Sequence, residues 1–188
     1  MKVTETGLPG VVVIEPRIFR DDRGYFLETW SAAGFGARGL PTTFAQDNLS
    51  RSAVGVLRGL HYQFPTGQGK LVGVSRGRVF DVAVDIRVGS PTFGRWVGEI
   101  LAAEDGRQLY IPPGFAHGFQ VIGDEPALFS YKCTEGYDPA GQCSILWDDP
   151  EIGIDWPGES PLLSPKDAEA PRLRDVPESR LPRYAPPG

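Results

Sequence analysis

The chain has 188 residues with 40% hydrophobic content and a formal net charge of −5, which is enough for one domain with a buried core. The negative charge does not favour a nucleic-acid-binding surface, so no nucleic-acid partner is predicted. No apolar run approaches the ~20 residues that span a bilayer, and the first residues lack a signal peptide, which predicts a cytoplasmic protein with no membrane partner.

The first third of the chain is predicted to alternate short strands with glycine-rich turns. One strand is expected on each side of a charged turn. A glycine-rich segment with room for one helical turn follows, and then a polar stretch leads into an apolar one. In chain order these segments are residues 10–19, 24–30, 31–40, 46–50 and 54–63.

The clearest pattern in the chain is a strand, a tight turn and a second strand. Lys70–Ser75 leads through this turn into Arg78–Val88, where two sets of residues alternate over the whole segment. A period of two predicts a β-strand. One face is purely apolar, whereas the other carries Asp81 and Asp85, which either line the mouth of a barrel or face solvent.

The second half of the chain is predicted to continue with short strands and to end in a tail. From residue 148 onward the chain is polar and rich in proline, which predicts a wrapping tail with one short helix near residues 164–168. Short strands with close turns, and no room for crossover helices, predict an all-β antiparallel sandwich or barrel. The expected strands are residues 96–103, 107–111, 118–122, 127–134 and 143–147.

The chain contains only two histidines, His61 and His117, and each lies in a distinctive sequence segment of small and aromatic residues. Histidine has an ordinary pKa close to neutrality, so each of the two has a raised chance of a chemical role. This pattern predicts a β-barrel enzyme with a histidine base in its mouth. Cys133 and Cys143 flank a turn and could face each other across a hairpin, but free thiols are predicted in a reducing cytosol.

Nine short motifs follow one another over roughly residues 7–175. They are FRDDRGYFLE (19–28), QDNLS (46–50), GVLRGLHYQ (55–63), KLV (70–72), FDVAVDIR (80–87), SPTFG (90–94), GFAHGF (114–119), YK (131–132) and LSPKD (163–167). Together they resemble the dTDP-4-dehydrorhamnose 3,5-epimerase family. The resemblance implies a single cupin-type jelly-roll domain over residues 1–188, and a homodimer with exchanged N-terminal strands.

The resemblance also implies a reaction, the inversion of C3 and C5 in dTDP-4-dehydro-6-deoxy-D-glucose to give dTDP-4-dehydro-L-rhamnose during dTDP-L-rhamnose biosynthesis. No cofactor is implied, because a hydrogen beside a ketone is acidified by delocalisation of its carbanion into an enolate. Carried over by residue, the family pattern makes His61 the base and Asp167 the carboxylate that orients it. Tyr131 matches the acid on the opposite face, and Lys70 matches the cation near the enolate oxygen.

Substrate contacts of the family map onto the chain in the same way. Tyr137 matches a residue that stacks on the thymine ring, and Phe26 lies in the strand that a partner subunit would lend. Gln142 stands where many members have a glutamate, and it can still bond a hydroxyl. The remaining matches are Arg23, Glu28, Gln46, Asp47, Asn48, Arg58, His117 and Lys166, together with Lys70.

Other interpretations remain open. The Pro112-x-Gly114-x-x-His117 spacing is that of a metal-ligand segment in metal-binding cupins, but the companion His-x-His is absent, so no metal site is predicted. An epimerase that inverts only C3 or only C5, and a sugar-binding module without catalysis, are further alternatives. Taken singly, His61 and Tyr131 could also be buried core residues with satisfied hydrogen bonds.

Overall fold

The computed structural model describes residues 1–158 and 160–186, and most of its regular structure is β-strand. The helices described are two short ones, α1 (Ala32–Gly36) and α2 (Pro165–Ala168), besides two 3-10 turns. None of them is long and apolar enough to cross a membrane. The strands are β1 (Lys2–Glu5), β2 (Val12–Glu15), β3 (Ile18–Asp21), β4 (Gly24–Leu27), β5 (Gln46–Ser52), β6 (Leu57–Gln63), β7 (Lys70–Arg76), β8 (Arg78–Asp85), β9 (Trp96–Ala102), β10 (Gln108–Ile111), β11 (Phe115–Ile122), β12 (Ala127–Cys133) and β13 (Gln142–Ser144).

The strands form two antiparallel sheets that pack face to face. One has the order β1-β2-β10-β7-β12-β5, and the other has the order β13-β6-β11-β8-β9. Strands β3 and β4 form a separate two-stranded hairpin. The predicted all-β, antiparallel jelly roll is therefore confirmed.

The main core lies between the two sheets. Val72 and Phe129 from one sheet pack against Val79, Phe115 and Phe119 from the other, and all five are buried. The rings of Phe119 and Phe129 stack with their centroids 4.0 Å apart. Phe119 and Phe129 of this apolar layer also form part of the wall of a cavity that is lined elsewhere mostly by polar side chains.

The C-terminal tail covers the outer face of the five-stranded sheet, as predicted. Val82 and Val84 of β8 point outward and pack under Ile152, Leu173 and Leu181 of the tail. The purely apolar set of β8, which includes Val82 and Val84, therefore faces the tail, and the opposite face of the strand lies between the two sheets.

The strand–turn–strand unit of residues 70–88 folds differently from a hairpin. Both strands form, but β7 pairs with β10 and β12, whereas β8 pairs with β9 and β11 in the other sheet. Gly77 makes the corner with a positive φ of 74°, and a Cβ there would lie 2.8 Å from the Pro126 carbonyl oxygen. Periodicity predicts a strand, but it does not identify the strand's partner.

Four strands near the N-terminus differ from the prediction. Residues 10–19 form β2 and β3 instead of one strand, because the chain breaks around Pro16, whose nitrogen cannot donate to a sheet. Strand β1 and the polar strand β5 were not predicted. Both lie at sheet edges, and their mixed side chains lack a clean apolar alternation.

The alternative that Asp81 and Asp85 face solvent is wrong, since both are fully buried. Asp85 accepts hydrogen bonds from Arg87, Ser90 and Thr92 at 2.6–2.8 Å. A buried carboxylate is tolerated where it is paired and hydrogen-bonded in this way. The polar partners follow β8 directly in the sequence.

The two cysteines are free thiols, as predicted. Cys133 lies in β12 and Cys143 in β13, which belong to different sheets. They therefore do not face each other across a hairpin.

Candidate active site

A cavity of about 270 Å³ lies between the two sheets and opens to solvent. Six strands, β5, β6, β7, β11, β12 and β13, contribute its walls together with the loops that carry Gln68 and Tyr137. Seven side chains that the sequence analysis singled out line it: Arg58, His61, Lys70, His117, Tyr131, Tyr137 and Gln142.

Strands β6 and β11 come together closely at the wall that carries both histidines. Gly59 has a φ of 135°, and a Cβ there would lie 2.5 Å from the Cα of Gly118. Glycine is needed on both counts, since it accepts a positive φ and leaves room for the neighbouring backbone. His61 and His117 are directly opposed in the resulting pairing.

His61 and Asp167 form a hydrogen-bonded pair. Nε2 of His61 lies 2.6 Å from Oδ1 of Asp167, although the two residues are 106 positions apart in the chain. Asp167 is buried in α2, where the Ser164 hydroxyl caps the helix by accepting from the Asp167 N–H. Hydrogen bonds between the backbones of Leu57 and Gly55 and that of Leu162 hold the tail beside β6.

The electrostatics of this pair favour an ionised Asp167. Burial by itself raises the pKa of the Asp167 carboxyl, but hydrogen bonds from His61, Ser164 and the Gly59 N–H, with the charge of His61, hold it below its usual value. An ionised carboxylate accepts the Nε2 proton, and it therefore selects the tautomer with a free lone pair on Nδ1. Within the described ranges, Nδ1 of His61 makes no hydrogen bond to protein.

Lys70 begins β7 and reaches the cavity from the opposite sheet. Burial lowers the pKa of its ammonium, and the nearby Cys133 and Asp81 offset this lowering only in part. No carboxylate in the described part of the chain lies within ion-pair distance of Nζ. The cation is thus available to a negatively charged group in the cavity.

Tyr131 reaches the cavity from β12, next to Asn48 of β5. Burial raises the pKa of its hydroxyl, Cys133 raises it further, and Arg58 opposes the change. The phenol therefore stays protonated at neutral pH and can act as a proton donor.

His117 is buried at the inner wall of the cavity. Its Nε2 lies 3.1 and 3.0 Å from the two carboxylate oxygens of Asp81. Burial lowers the pKa of His117, Asp81 raises it, and Lys70 and His61 lower it, so that the ring is kept neutral. Among the described residues no group of three or more His, Cys, Asp or Glu side chains is arranged to hold a metal ion.

An exposed tyrosine forms the rim of the cavity. The Tyr137 hydroxyl donates to Oε1 of Gln142 at 2.6 Å, and the Tyr137 N–H donates to Oε1 of Gln46 at 2.8 Å. The Gln46 amide in turn donates to Asn48. These bonds hold a flat aromatic ring at the entrance. Arg58, another residue of the cavity wall, is exposed and donates from Nε to the Ser52 hydroxyl.

Comparison with known proteins identifies the family of this chain. Residues 5–175 match the family model described as dTDP-4-dehydrorhamnose 3,5-epimerase. The chain belongs to this family. As a member of the dTDP-4-dehydrorhamnose 3,5-epimerase family it is an isomerase.

Individual members of the family are close relatives. The dTDP-4-dehydrorhamnose 3,5-epimerase of Pseudomonas aeruginosa is 55% identical over 178 residues, which cover 94% of this chain and 98% of that protein. The crystal structure of dTDP-6-deoxy-D-glucose-3,5-epimerase from Legionella pneumophila, in complex with dTDP-4-keto-L-rhamnose, is 52% identical with a TM-score of 0.94 over 98% of each chain. That of ChmJ, a 3'-monoepimerase from Streptomyces bikiniensis in complex with dTDP-quinovose, is 39% identical with a TM-score of 0.89, covering 95% and 92%.

Gln46 and Asn48, which match substrate contacts of the epimerase family, support the rim tyrosine without lining the cavity themselves. Five further matched residues lie away from the cavity wall. Arg23 and Phe26 are on the β3–β4 hairpin, with the Arg23 side chain 90% exposed and paired with Asp21, and Phe26 69% exposed. Glu28 follows β4 and accepts from the Ser31 hydroxyl. The other two are Asp47, which pairs with Lys132, and Lys166, which lines a neighbouring cleft.

Sequence reasoning missed several cavity residues of this epimerase. Gln63 lies two positions after His61 on β6, so it shares the cavity-facing side of the strand, and period-two spacing could have identified it. Phe119 lies two positions after His117 on β11 and follows the same rule, and Ser50 and Gln68 also line the cavity.

Proposed function

We propose that the protein inverts C3 and C5 of dTDP-4-dehydro-6-deoxy-D-glucose to give dTDP-4-dehydro-L-rhamnose, in dTDP-L-rhamnose biosynthesis. The observation that carries this proposal is the His61–Asp167 pair in a cavity that also holds Lys70 and Tyr131. Base, cation and acid are the three groups that proton exchange beside a ketone requires.

His61 acts as the base in this mechanism. Its Nδ1 takes the proton from the carbon beside the C4 ketone, while Nε2–H stays bonded to Asp167. The carboxylate stabilises the imidazolium that forms and keeps the ring from turning.

Lys70 stabilises the product of that step. Proton abstraction places negative charge on the C4 oxygen, and the Lys70 ammonium has no carboxylate partner among the described residues. A pre-placed cation in a partly dry site stabilises this charge more than water does. The chemistry needs no cofactor, because the ketone itself acts as the electron sink.

Tyr131 completes each inversion by returning a proton to the opposite face of the carbon. Its raised pKa supports this role, since the phenol is protonated at neutral pH. Before the second carbon reacts, the tyrosinate takes a proton from solvent and the His61 imidazolium releases its proton to solvent.

The nucleotide is held at the rim. The Tyr137 ring provides a face for thymine, with Gln142 and Gln46 keeping it in place. We assign Arg58 and His117, which line the cavity, to contacts with the diphosphate. Asn48, Asp47 and Lys166 are proposed as further contacts with the nucleotide sugar.

We further propose a homodimer in which the β3–β4 hairpin contributes Arg23, Phe26 and Glu28 to the partner's site. The hairpin belongs to neither large sheet and exposes Tyr25 and Phe26 at 54% and 69%. Exposed aromatic clusters of this kind mark interfaces. Sedimentation velocity is expected to give the mass of two chains, with Phe26→Asp shifting it toward one. A single-chain mass for the wild type would contradict the dimer.

Proton NMR of dTDP-4-dehydro-6-deoxy-D-glucose in D₂O tests the reaction. With the enzyme present, the C3 and C5 proton signals are expected to disappear as deuterium from solvent replaces both hydrogens. Loss of one signal alone would instead favour a single-site epimerase, the activity named for ChmJ. Persistence of both signals would overturn the proposed function.

A further inference from the structure

The loop that carries Tyr137 depends on side chains for its position. Residues 134–141, here called the rim loop, connect β12 to β13. The two ends of the rim loop are tied by backbone hydrogen bonds to the segment between β6 and β7. Its middle, residues 135–138, makes no backbone hydrogen bond to any described residue outside the loop. A segment with so few backbone bonds opens easily unless side chains hold it.

The side chain of Gln63, at the end of β6, brackets Tyr137. Its Oε1 accepts from the N–H of Asp138 at 3.0 Å, and its Nε2 donates to the carbonyl of Gly136 at 3.3 Å. One amide thus holds both peptide groups that flank the tyrosine. Because the Asp138 N–H can only donate, the amide has one orientation, with its oxygen toward Asp138 and its nitrogen toward Gly136.

Three further glutamines hold the same loop. Gln46 on β5 accepts from the Tyr137 N–H, and Gln142 on β13 accepts from the Tyr137 hydroxyl. Gln68, in the connection between β6 and β7, donates to the Glu135 carbonyl at 2.8 Å. These side chains come from both sheets, and the four amides carry no charge that would repel the anionic substrate.

We propose that Gln63 and Gln68 are positioning residues for the nucleotide, which fix the Tyr137 ring at the entrance before the substrate arrives. The inference rests on the proposed function, in which this ring stacks on thymine. A ring that is already in place loses less conformational freedom on binding, so the nucleotide binds more tightly. The base, the cation and the acid of the proposed mechanism lie in strands and not in the rim loop, so turnover of bound substrate does not depend on the loop.

The chain offers a matched control in Gln120 of β11. Its amide brackets Gly158 of the tail in the same way, with Oε1 accepting from the N–H at 3.1 Å and Nε2 donating to the carbonyl at 3.5 Å. Gln120 lies three positions after His117, so it points to the opposite side of the strand, away from the cavity. Gln120→Met therefore removes the same kind of contact without changing the rim loop.

The test compares the wild type, Gln63→Met and Gln120→Met by calorimetric titration with dTDP and by kcat and KM. Methionine is unbranched like glutamine but has no amide. Gln63→Met is expected to raise the Kd for dTDP and the KM by roughly 5- to 50-fold, because only molecules with the ring in place bind the base well. Its kcat is expected to stay at the wild-type value, and Gln120→Met is expected to keep all three constants. Wild-type Kd and KM in Gln63→Met, or a fall in kcat alone, would overturn the inference.

A double variant separates positioning from direct contact, since Gln63 itself lines the cavity. If Gln63 acts through Tyr137, adding Gln63→Met to Tyr137→Ala is expected to weaken dTDP binding little further, because no ring is left to position. A full additional loss of affinity would mean that Gln63 touches the ligand itself, which would overturn the inference. Wild-type affinity in Tyr137→Ala alone would also overturn it.

Gln68→Met covers the case in which Gln63→Met does not fold. Gln68 lies outside the strands, so the urea midpoint of Gln68→Met is expected to stay near that of the wild type. Its Kd for dTDP is expected to rise, by a smaller factor than with Gln63→Met, because one bond to the rim loop is lost near Tyr137. An unchanged Kd in the folded variant would count against the inference. A wild type that exchanges neither sugar proton would instead be a failure of the proposed function.

Discussion

Replacing His61 by asparagine is expected to abolish deuterium exchange at both C3 and C5, because it removes the proposed base. The other imidazole of the cavity wall, His117, is buried and bonded to Asp81. The amide that replaces the imidazole cannot act as a base, whereas Asp167 stays in place to accept its N–H. Loss of a general base costs roughly 10²- to 10⁴-fold. The rate of signal loss in D₂O, followed by proton NMR, measures this effect.

Binding and folding serve as the controls for His61→Asn. The nucleotide contacts at the rim do not involve His61, since Tyr137 is held by Gln142 and Gln46. Calorimetric titration with dTDP is therefore expected to give wild-type affinity. Exchange at the wild-type rate at either carbon would show that His61 is not the base for that carbon.

Replacing Tyr131 by phenylalanine is expected to separate exchange from inversion. His61 can still remove a proton and return deuterium to the same face, so signals at C3 and C5 should continue to disappear. Inversion needs a donor on the other face, and losing it is expected to lower formation of the L-rhamno product by roughly 10²- to 10⁴-fold. Chromatographic separation of the sugar nucleotides, beside the NMR time course, measures both rates.

Tyr62→Phe is the matched control for this variant. Tyr62 is also near the cavity, but its hydroxyl donates to the Arg180 carbonyl of the tail at 3.2 Å. Its removal is expected to leave the ratio of inversion to exchange unchanged. If Tyr131→Phe formed the inverted product as fast as the wild type, another group would have to be the acid.

Much of the fold could be predicted because short-range patterns carry it. The alternation through β8 predicted a strand, and the proline-rich end predicted a tail. The same patterns did not reveal that β7 and β8 separate into different sheets, because an apolar face fits any apolar layer of the right size. Polar β5 gave no strand signal, since it lines the cavity on one side and meets solvent on the other.

By itself the sequence determined the residue types at the site, since His61, Lys70 and Tyr131 each lie in a recognisable sequence motif. All three line one cavity. The family resemblance implied that Asp167 serves His61, whereas only the tertiary structure decided that Asp81 pairs with His117. Asp167 reaches His61 across 106 positions because the tail docks along β6, and Asp81 lies under His117 because β8 and β11 are neighbours. Such pairs depend on how the chain closes its long loops, which local periodicity does not encode.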